Sequence, residues 1–260
     1  MKNEITQVIA NTAYQAYEKR LHKEVLQNKV PGHIAIIMDG NRRFAKEFGL
    51  ADNLGHSKGK DKLENLMEWC LDLDIKILTV YAFSTENMGR SEDEVEYLMD
   101  LFEENFNRLS EDERIHKNEI RVTVMGQKDL LPDRVNRAIE VAEEATSEYD
   151  QYFYNIALAY GGRQEIIQAI KQLAREVKEG ELDVEEIDEE SFSRFLYTAD
   201  FPDPDLVLRT SGEERVSNFL LWQMAYSELY FTDVYWPGFR KVDFLRAIRI
   251  YQMRQRRFGR

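Results

Sequence analysis

The sequence predicts one α/β domain with a mainly parallel central sheet flanked by helices. From about residue 31 onward, short continuous apolar runs of strand length alternate with longer amphipathic runs of helix length. Internal repeats, low-complexity segments and a domain linker are absent from the sequence of 260 residues, a length that suits one sizeable domain. Because functional groups of parallel sheets gather at the carboxyl ends of the strands, we expect the site there.

Strands are predicted for five runs rich in apolar residues, of which the first, at residues 34–38, is apolar throughout. The runs cover residues 34–38, 77–83, 120–125, 152–160 and 205–208. Helical spacing predicts helices over about residues 58–73, 91–109 and 132–149, with another opening at 161–163 and a short one near 189. At the start of the helix over residues 91–109, Ser91 and Glu94 have the spacing of a capping box.

Residues 1–30 are predicted to form an N-terminal amphipathic helix, and residues 31–260 the domain that carries the chemistry. Apolar residues recur at helical spacing from Ile5 to Val25, and Pro31 with Gly32 ends the helix. Its apolar stretches are too short for a membrane span. We expect this helix to dock on the domain. The alternative is a helix lying on a membrane surface, although both signs of charge share its polar face.

Charge and cysteine content exclude several classes of protein. The chain has 48 acidic and 35 basic residues and a net charge of −13, which argues against nucleic acid and against a polybasic membrane anchor. An anionic substrate must therefore be held by a local cluster of cations. Cys70 is the single cysteine, so a disulfide or thiolate zinc site within one chain is excluded, and a cytoplasmic location is expected. The apolar pattern around Cys70 favours a core position over a nucleophile.

A first anion site is predicted after the strand at residues 34–38. This strand is followed by Asp39, Gly40, Asn41, Arg42 and Arg43. Gly40 allows a tight turn, the next backbone N–H groups begin a helix, and Arg43 adds a positive charge, which together suit a phosphate or diphosphate. Asp39 is placed to hold a divalent metal against those phosphates, although it could serve only as an N-cap.

A second anion site is predicted after the strand at residues 205–208. Arg209 and Arg215, with Ser211, Gly212 and Ser217, follow this strand end. The arginines could instead form ion pairs with the neighbouring Glu213 and Glu214. Two anion sites at strand ends, one with a candidate metal carboxylate, favour chemistry that joins two phosphorylated substrates.

Four longer blocks carry a family resemblance. They are HIAIIMDGNRRFAKEFG at residues 33–49, LTVYAFSTENMGRSEDEV at 78–95, NIALAYGGRQEI at 155–166 and DLVLRTSGEERVSNFLLWQMAYSELYFTDVYWPGF at 205–239. In content and order they resemble the signature blocks of the cis-prenyltransferases, the undecaprenyl diphosphate synthase family. The resemblance implies an enzyme that condenses isopentenyl diphosphate onto an allylic diphosphate, farnesyl or geranylgeranyl diphosphate. The implied product is a long-chain polyprenyl diphosphate such as undecaprenyl diphosphate, the precursor of a glycosyl carrier lipid.

The resemblance also assigns roles to residues. It implies that Asp39 holds Mg²⁺ and acts in catalysis with Asn87, and that Glu228 supports the metal. The implied substrate-binding residues are Gly40, Asn41, Arg42, Arg43, His56, Ser84, Glu86, Arg90, Arg209, Arg215 and Ser217. The last three match the isopentenyl diphosphate site, whereas the residues from Gly40 to His56 surround the departing allylic diphosphate.

A tunnel and a homodimer are further implications of the resemblance. An elongated apolar tunnel for the growing chain is implied between the helix face from Val95 to Phe106 and the strand residues Leu78, Ala82 and Ile156. The basic tail contains Arg257-Phe258-Gly259, which resembles a terminal Arg-x-Gly that reaches the active site of the neighbouring subunit in this family. Transient peripheral contact with a membrane is expected when the lipid product is released.

Three positions depart from the family pattern. Asp52 occupies the place of an arginine that helps to hold the allylic diphosphate in many members, so that contact is in doubt. Met88 stands where an aromatic residue is common. Arg42 replaces the glycine of bacterial members, as in archaeal and eukaryotic members, and favours a geranylgeranyl starter.

Two alternatives belong to other functional classes. One is a non-catalytic scaffold subunit of a heteromeric prenyltransferase, which would be expected to lose Asp39 or the arginine cluster. The other is a Mg²⁺-dependent phosphohydrolase built on Asp39, but such enzymes commonly carry a second aspartate two residues on, where this chain has Asn41. Both alternatives predict no growth of a prenyl chain.

Overall fold

The computed structural model describes residues 2–254, with side chains described from residue 12. The strands are β1 (His33–Ile37), β2 (Ile77–Ser84), β3 (Ile120–Met125), β4 (Tyr152–Tyr160), β5 (Leu206–Arg209) and β6 (Glu228–Phe231). They form one six-stranded sheet in the order β3-β4-β2-β1-β5-β6. Every neighbouring pair is parallel, which confirms the predicted fold class.

Helices cover both faces of this sheet. They are α1 (Lys2–Val25), α2 (Asn41–Glu47), α3 (Asp52–Asp72), α4 (Glu92–Leu109), α5 (Glu113–Lys117), α6 (Asp133–Ala145), α7 (Gly162–Glu179), α8 (Glu189–Ser193) and α9 (Lys241–Met253). The strands β1 to β5 lie within one residue of the predicted ranges. β6 was not predicted: its sequence, Glu-Leu-Tyr-Phe, is short, and all four residues are only half-buried at the sheet edge.

The strand β1 shows how the two faces differ. Ile34 and Ile36 point into the larger core, which α3, α4, α6 and α9 complete, whereas Ala35 and Ile37 point to the opposite face. The opposite core is continued outward by residues of α7 and α8. Cys70 is buried in the larger core, as its apolar pattern predicted.

Two sequence-based expectations about helix starts are wrong. α3 begins at Asp52 rather than near residue 58, and Gly55 and Gly59 lie inside it. A Cβ on Gly59 would come within 2.4 Å of Asn41 Oδ1, so these glycines allow α2 to pack closely against α3. At the start of α4, the Ser91 side chain makes no capping hydrogen bond, and Glu94 forms an ion pair with Arg90 instead.

The N-terminal helix α1 packs against α9. Leu21 and Val25 are fully buried in the main core, and the guanidinium groups of Arg240 and Arg246 lie over the rings of Tyr14 and Tyr17. The described part of α1 is therefore docked on the domain, as the sequence predicted. Among the described residues, none of the helices is both long enough and apolar enough to cross a membrane.

Candidate active site

The register of two neighbouring strands brings Asp39 and Arg209 together. Ile37 at the end of β1 is paired with Arg209 at the end of β5, and Asp39 follows Ile37 closely. Arg209 Nη2 donates to Asp39 Oδ2 at 2.7 Å, and the arginine is only 4% exposed. The two anion sites that the sequence predicts separately are therefore halves of one site.

Asp39 is fixed through its backbone as well as its carboxylate. Thr210 Oγ1 accepts from the Asp39 N–H at 2.9 Å and donates to the Asp39 carbonyl at 2.7 Å. Arg43 Nη2 donates to Asp39 Oδ1 at 3.1 Å. Burial acts to raise the pKa of Asp39, but the hydrogen bond and charge of Arg209, with the charge of Arg43, outweigh it and lower the pKa. The N-cap of α2 is Gly40, so Asp39 is an ionised site carboxylate rather than a cap.

The loop after β5 has a strained backbone. Ser211, Ser217 and Asn218 have φ angles of 81°, 47° and 62°, which are unfavourable for residues with a Cβ. Arg209 Nη1 holds this loop by donating to the Arg215 carbonyl at 2.5 Å and to Ser217 Oγ at 2.7 Å. Strain of this kind persists where surrounding contacts enforce it, and such places cluster at functional sites.

Asn218 ties this loop to two other strand ends. Its carbonyl accepts from the Gly162 N–H at 2.7 Å, and its side-chain oxygen accepts from the Arg163 N–H at 2.9 Å. Its amide group donates to Glu86 at 3.0 Å and to Gln164 at 3.1 Å. The segments that follow β2, β4 and β5 are therefore connected through one side chain.

Two adjoining cavities open at this edge of the sheet and meet at Asp39. Their volumes are about 530 Å³ and 540 Å³. Of the predicted site residues, the first cavity contains Gly40, Arg42 and Arg43, and the second contains Ser84, Glu86, Asn87, Arg209, Arg215 and Ser217. Asp39, Asn41, His56 and Arg90 border both cavities. Each volume lies in the range of small-molecule sites.

Charged side chains dominate the first cavity. Arg42 Nε lies 3.5 Å from Asp52 Oδ2, and both side chains are about half exposed, so Asp52 offers a weak counter-charge where the family commonly has an arginine. Burial and the charge of Arg90 lower the pKa of His56, while Glu94 acts in the opposite direction. His56 Nε2 is buried and has no hydrogen-bond partner among the described residues, and the carboxylate of Glu94 lies 3.5 Å from it.

The second cavity is bordered by a turn that Ser84 and Asn87 hold rigid. Asn87 N–H donates to Ser84 Oγ at 3.3 Å, and Ser84 N–H donates to Asn87 Oδ1 at 3.1 Å. This reciprocal pair begins a 3₁₀ helix over Thr85–Gly89, which carries Glu86 and Met88. Met88 packs against the main core.

Arg43 and Arg215 are both paired with Glu213. Arg43 Nη1 donates to Glu213 at 2.8 Å, and Arg215 also forms an ion pair with it. The alternative that Arg209 and Arg215 pair with a neighbouring glutamate is therefore correct for Arg215, whereas Arg209 pairs with Asp39. Arg215 is 59% exposed, so its pair is open to competition from a stronger anion.

Glu228 lies away from these cavities within one chain. It begins β6 and is paired with Leu206 at the start of β5, about 10 Å along the strand from Arg209. Its carboxylate forms an ion pair with Arg254 at 2.8 Å. The structure of one chain does not bring Glu228 to Asp39, so a shared metal remains a prediction. Arg257, Phe258 and Gly259 lie outside the described residues.

An apolar crevice leads from the second cavity into the core. Ala82 borders both, and the crevice runs between α3 and α4 over β2 and β4. Its apolar lining consists of Leu63, Met67, Ala82, Phe102, Phe106, Leu109, Tyr154 and Ile156. Leu78 and Val95, which were also predicted to line a tunnel, pack in the core instead. The volume of the crevice is about 80 Å³, which is too small for the elongated tunnel that was predicted.

Several site residues were missed by the sequence reasoning. Thr210 and Asn218 lie within the block that suggested the second anion site, but their hydrogen bonds run to distant segments. Glu94 was interpreted as part of a capping box, which concealed its position beside His56 and Arg90. The sequence marked Thr210 and Asn218 only by their positions directly after Arg209 and Ser217.

Two solved structures with this fold bear the names of prenyl diphosphate synthases. Lavandulyl diphosphate synthase from Lavandula x intermedia, solved with dimethylallyl diphosphate, superposes with a TM-score of 0.84 and 36% identity, covering 89% of this chain and 99% of that one. A probable undecaprenyl diphosphate synthase from Campylobacter jejuni gives a TM-score of 0.73 and 35% identity, covering 90% and 100%. Fold and sequence together therefore define a prenyltransferase.

The chain belongs to the undecaprenyl diphosphate synthase family, whose model matches residues 37–259. It is 58% identical to the tritrans,polycis-undecaprenyl-diphosphate synthase (geranylgeranyl-diphosphate specific) of Methanopyrus kandleri, covering 95% of this chain and 91% of the relative. A protein of the same name from Thermococcus kodakarensis is 56% identical, covering 98% and 97%. The resemblance drawn from the signature blocks is confirmed.

Proposed function

We propose that the protein condenses isopentenyl diphosphate with an allylic diphosphate in cis geometry, and that geranylgeranyl diphosphate is the starter. The observation that carries this proposal is the pair of cation-lined cavities that meet at Asp39. Two diphosphates held side by side leave their prenyl carbons close together at the mouth of the apolar crevice. The name of the relatives and the presence of Arg42 support the geranylgeranyl starter.

In the proposed reaction, the first cavity holds the allylic diphosphate and stabilises its departure. Negative charge develops on the bridging oxygen as the allylic C–O bond breaks. Arg42, His56 and Arg90 present hydrogen-bond donors to this cavity, where their interaction grows with the developing charge. Gly40, Asn41 and Arg43 complete the wall, and Arg43 keeps Asp39 in place.

The second cavity is proposed to hold isopentenyl diphosphate. Arg209, Arg215 and Ser217 supply cations and a hydroxyl at one end, and Ser84, Glu86 and Asn87 border the other. Asn87 lies in a fixed turn where the condensing carbons would meet, which suits a positioning or catalytic role. The isopentenyl unit then loses a proton, and the lengthened diphosphate becomes the next allylic substrate.

Mg²⁺ is the proposed metal, with Asp39 as its ligand. Among the described residues, no cluster of three or more His, Cys, Asp or Glu could hold a metal without help. Mg²⁺ in phosphate chemistry commonly takes one or two carboxylates, with phosphate oxygens and water completing the shell. Asp39 is ionised and borders both cavities, so it fits a metal held jointly with a diphosphate. The metal would supply charge neutralisation to the leaving group.

The growing chain is proposed to enter the crevice beyond Ala82. Its present volume of about 80 Å³ is below that of ordinary ligand sites, so Phe102 and its neighbours must move apart as the chain lengthens. The proposed product is a long-chain polyprenyl diphosphate such as undecaprenyl diphosphate, a precursor of a glycosyl carrier lipid. A homodimer, a cytoplasmic location with transient membrane contact, and a boundary between residues 30 and 31 remain predictions.

The test is incubation of the purified protein with Mg²⁺, labelled isopentenyl diphosphate and each allylic starter in turn, followed by separation of the lipids. We expect efficient growth from geranylgeranyl diphosphate to long cis-prenyl chains, and no growth after metal chelation. Release of phosphate without chain growth would favour the phosphohydrolase. Absence of any turnover by the isolated chain would favour a scaffold subunit.

A further inference from the structure

Glu94, in the first turn of α4, contacts two arginines and a histidine from different parts of the chain. Arg90 Nη1 lies 2.8 Å and His56 Nε2 lies 3.5 Å from Glu94 Oε1. Arg42 Nη1 lies 3.8 Å from Glu94 Oε2. The Glu94 side chain is 15% exposed, so water screens these attractions only in part. One carboxylate therefore links α2, α3 and the segment that precedes α4.

The position of Glu94 relative to the first cavity separates two possible roles. Arg42, His56 and Arg90 all line this cavity, whereas Glu94 is not among the described residues that line it. A carboxylate that competed with a diphosphate for these cations would have to share the cavity with them. Because Glu94 does not line the cavity, it can keep its contacts with Arg42, His56 and Arg90 when an anion enters.

Cations that converge on one anion repel each other when the anion is absent. Arg42 is 56% exposed and also lies near Asp52, so it can turn away from the cavity at little cost. A counter-charge behind the group offsets the repulsion and limits this freedom, which prepares the donors before the substrate arrives.

We propose that Glu94 is a positioning residue for the allylic diphosphate, because it contacts Arg42, His56 and Arg90 without lining the cavity and so limits their movement there. This inference rests on the proposed function: it identifies Glu94 as the residue that orders Arg42, His56 and Arg90 in the proposed allylic site. Removing a negative charge near an anion site would by itself favour anion binding. The sign of the change in Glu94→Gln therefore separates positioning from general electrostatics.

The experiment compares Glu94→Gln, Glu94→Asp and Glu92→Gln with the unchanged protein. Glu92 is an exposed carboxylate in the same first turn of α4. Its replacement also removes one negative charge from this helix end, but not the one that contacts Arg42, His56 and Arg90. The probes are geranylgeranyl S-thiolodiphosphate, a slowly reacting starter analogue, and isopentenyl diphosphate. Each is titrated separately with Mg²⁺, and kcat, KM and Tm are measured for every variant.

We expect Glu94→Gln to weaken binding of the thiolodiphosphate about tenfold and to raise the starter KM equally, because misdirected donors lose contact with the diphosphate. Affinity for isopentenyl diphosphate should fall less, because His56 and Arg90 border both cavities whereas Arg42 lines only the first. Tm should change little, Glu94→Asp should recover part of the loss, and Glu92→Gln should resemble the unchanged protein.

Unchanged or tighter thiolodiphosphate binding in Glu94→Gln would overturn the inference. An equal loss of affinity for both diphosphates with a lower Tm would also overturn it, because Glu94 would then serve only the fold. If the unchanged protein transfers no prenyl group, the proposed function fails, and the binding comparison still decides the role of Glu94.

Discussion

Asp39 and Arg209 lie 170 positions apart in the chain and form a 2.7 Å ion pair at the centre of the site. The pair exists because β1 and β5 are adjacent and in a register that ends both strands at the same level. Asp39 borders the two cavities, whereas the guanidinium of Arg209 is nearly buried and also holds the loop after β5. We therefore expect substitutions of Asp39 and Arg209 to affect the two substrates differently.

Asp39→Ala should abolish turnover and leave isopentenyl diphosphate binding largely intact. The substitution removes the proposed Mg²⁺ ligand, whereas Arg209 keeps its contacts with Arg215 and Ser217. We expect a loss of at least about 10²-fold in kcat, the size typical of a lost transition-state contact. Single-turnover assays and calorimetry measure the two quantities. A parallel fall in isopentenyl diphosphate affinity would show that Asp39 serves the other cavity or the fold.

Arg209→Lys should raise the KM for isopentenyl diphosphate about tenfold or more. One ammonium group cannot reproduce two guanidinium nitrogens that donate to Asp39 on one side and to Ser217 on the other. The starter KM should change less, because Arg209 borders only the second cavity. Steady-state kinetics with each substrate varied separately gives both values. Arg121→Lys, an exposed arginine on β3, is the matched control.

Ala82→Leu should shorten the products. Ala82 lies where the second cavity meets the crevice, and a larger side chain there obstructs a passage that is already narrow. The first condensations should proceed at a near-normal rate, since the cations of both cavities are unaffected. Chromatography of the dephosphorylated lipids measures chain length. Ala16→Leu, on the exposed side of α1, is the control, and an unchanged product length in Ala82→Leu would contradict this route for the chain.

His33 should make the fold less stable as the pH falls from about 6.5 toward about 4. Its ring is buried between the Pro202 carbonyl at 2.7 Å and Thr79 Oγ1 at 2.8 Å. Burial lowers the pKa of His33 to about 4, so between the two values the unfolded chain binds a proton that the folded chain does not. Stability is therefore full above the ordinary pKa, and the loss reaches about 3 kcal/mol.

Urea unfolding at several pH values measures this effect. In His33→Gln, part of the slope of unfolding free energy between pH 6.5 and 4 should disappear, whatever the stability of the variant at neutral pH. The comparison uses the slope because ionised carboxylates such as Asp39 also contribute acid sensitivity to both proteins. Equal slopes in the two proteins would show that His33 is protonated in the fold.

The sequence by itself determined five of the six strands and the residue types that follow β1 and β5. Runs rich in apolar residues placed β1 to β5 within one residue, because strands covered by helices bury most of their side chains. Asp39 with Arg43, and Arg209 with Ser217, were also readable as anion sites because their residue types are local. Only the tertiary structure decided that these are one site, since the register of β1 against β5 sets which strand ends meet.

The same physical reason explains what the sequence could not supply. Arg42 and His56, which contact Glu94, and the partners of Asn218 come from segments distant in the chain. The neighbouring residues in the sequence therefore suggested only a helix cap for Glu94 and no role for Asn218. Glu228 is close in sequence to the second anion site, yet β6 runs parallel to β5 and carries it to the opposite end of the strand. Local patterns specify what each segment forms, and the packing of segments specifies which side chains meet.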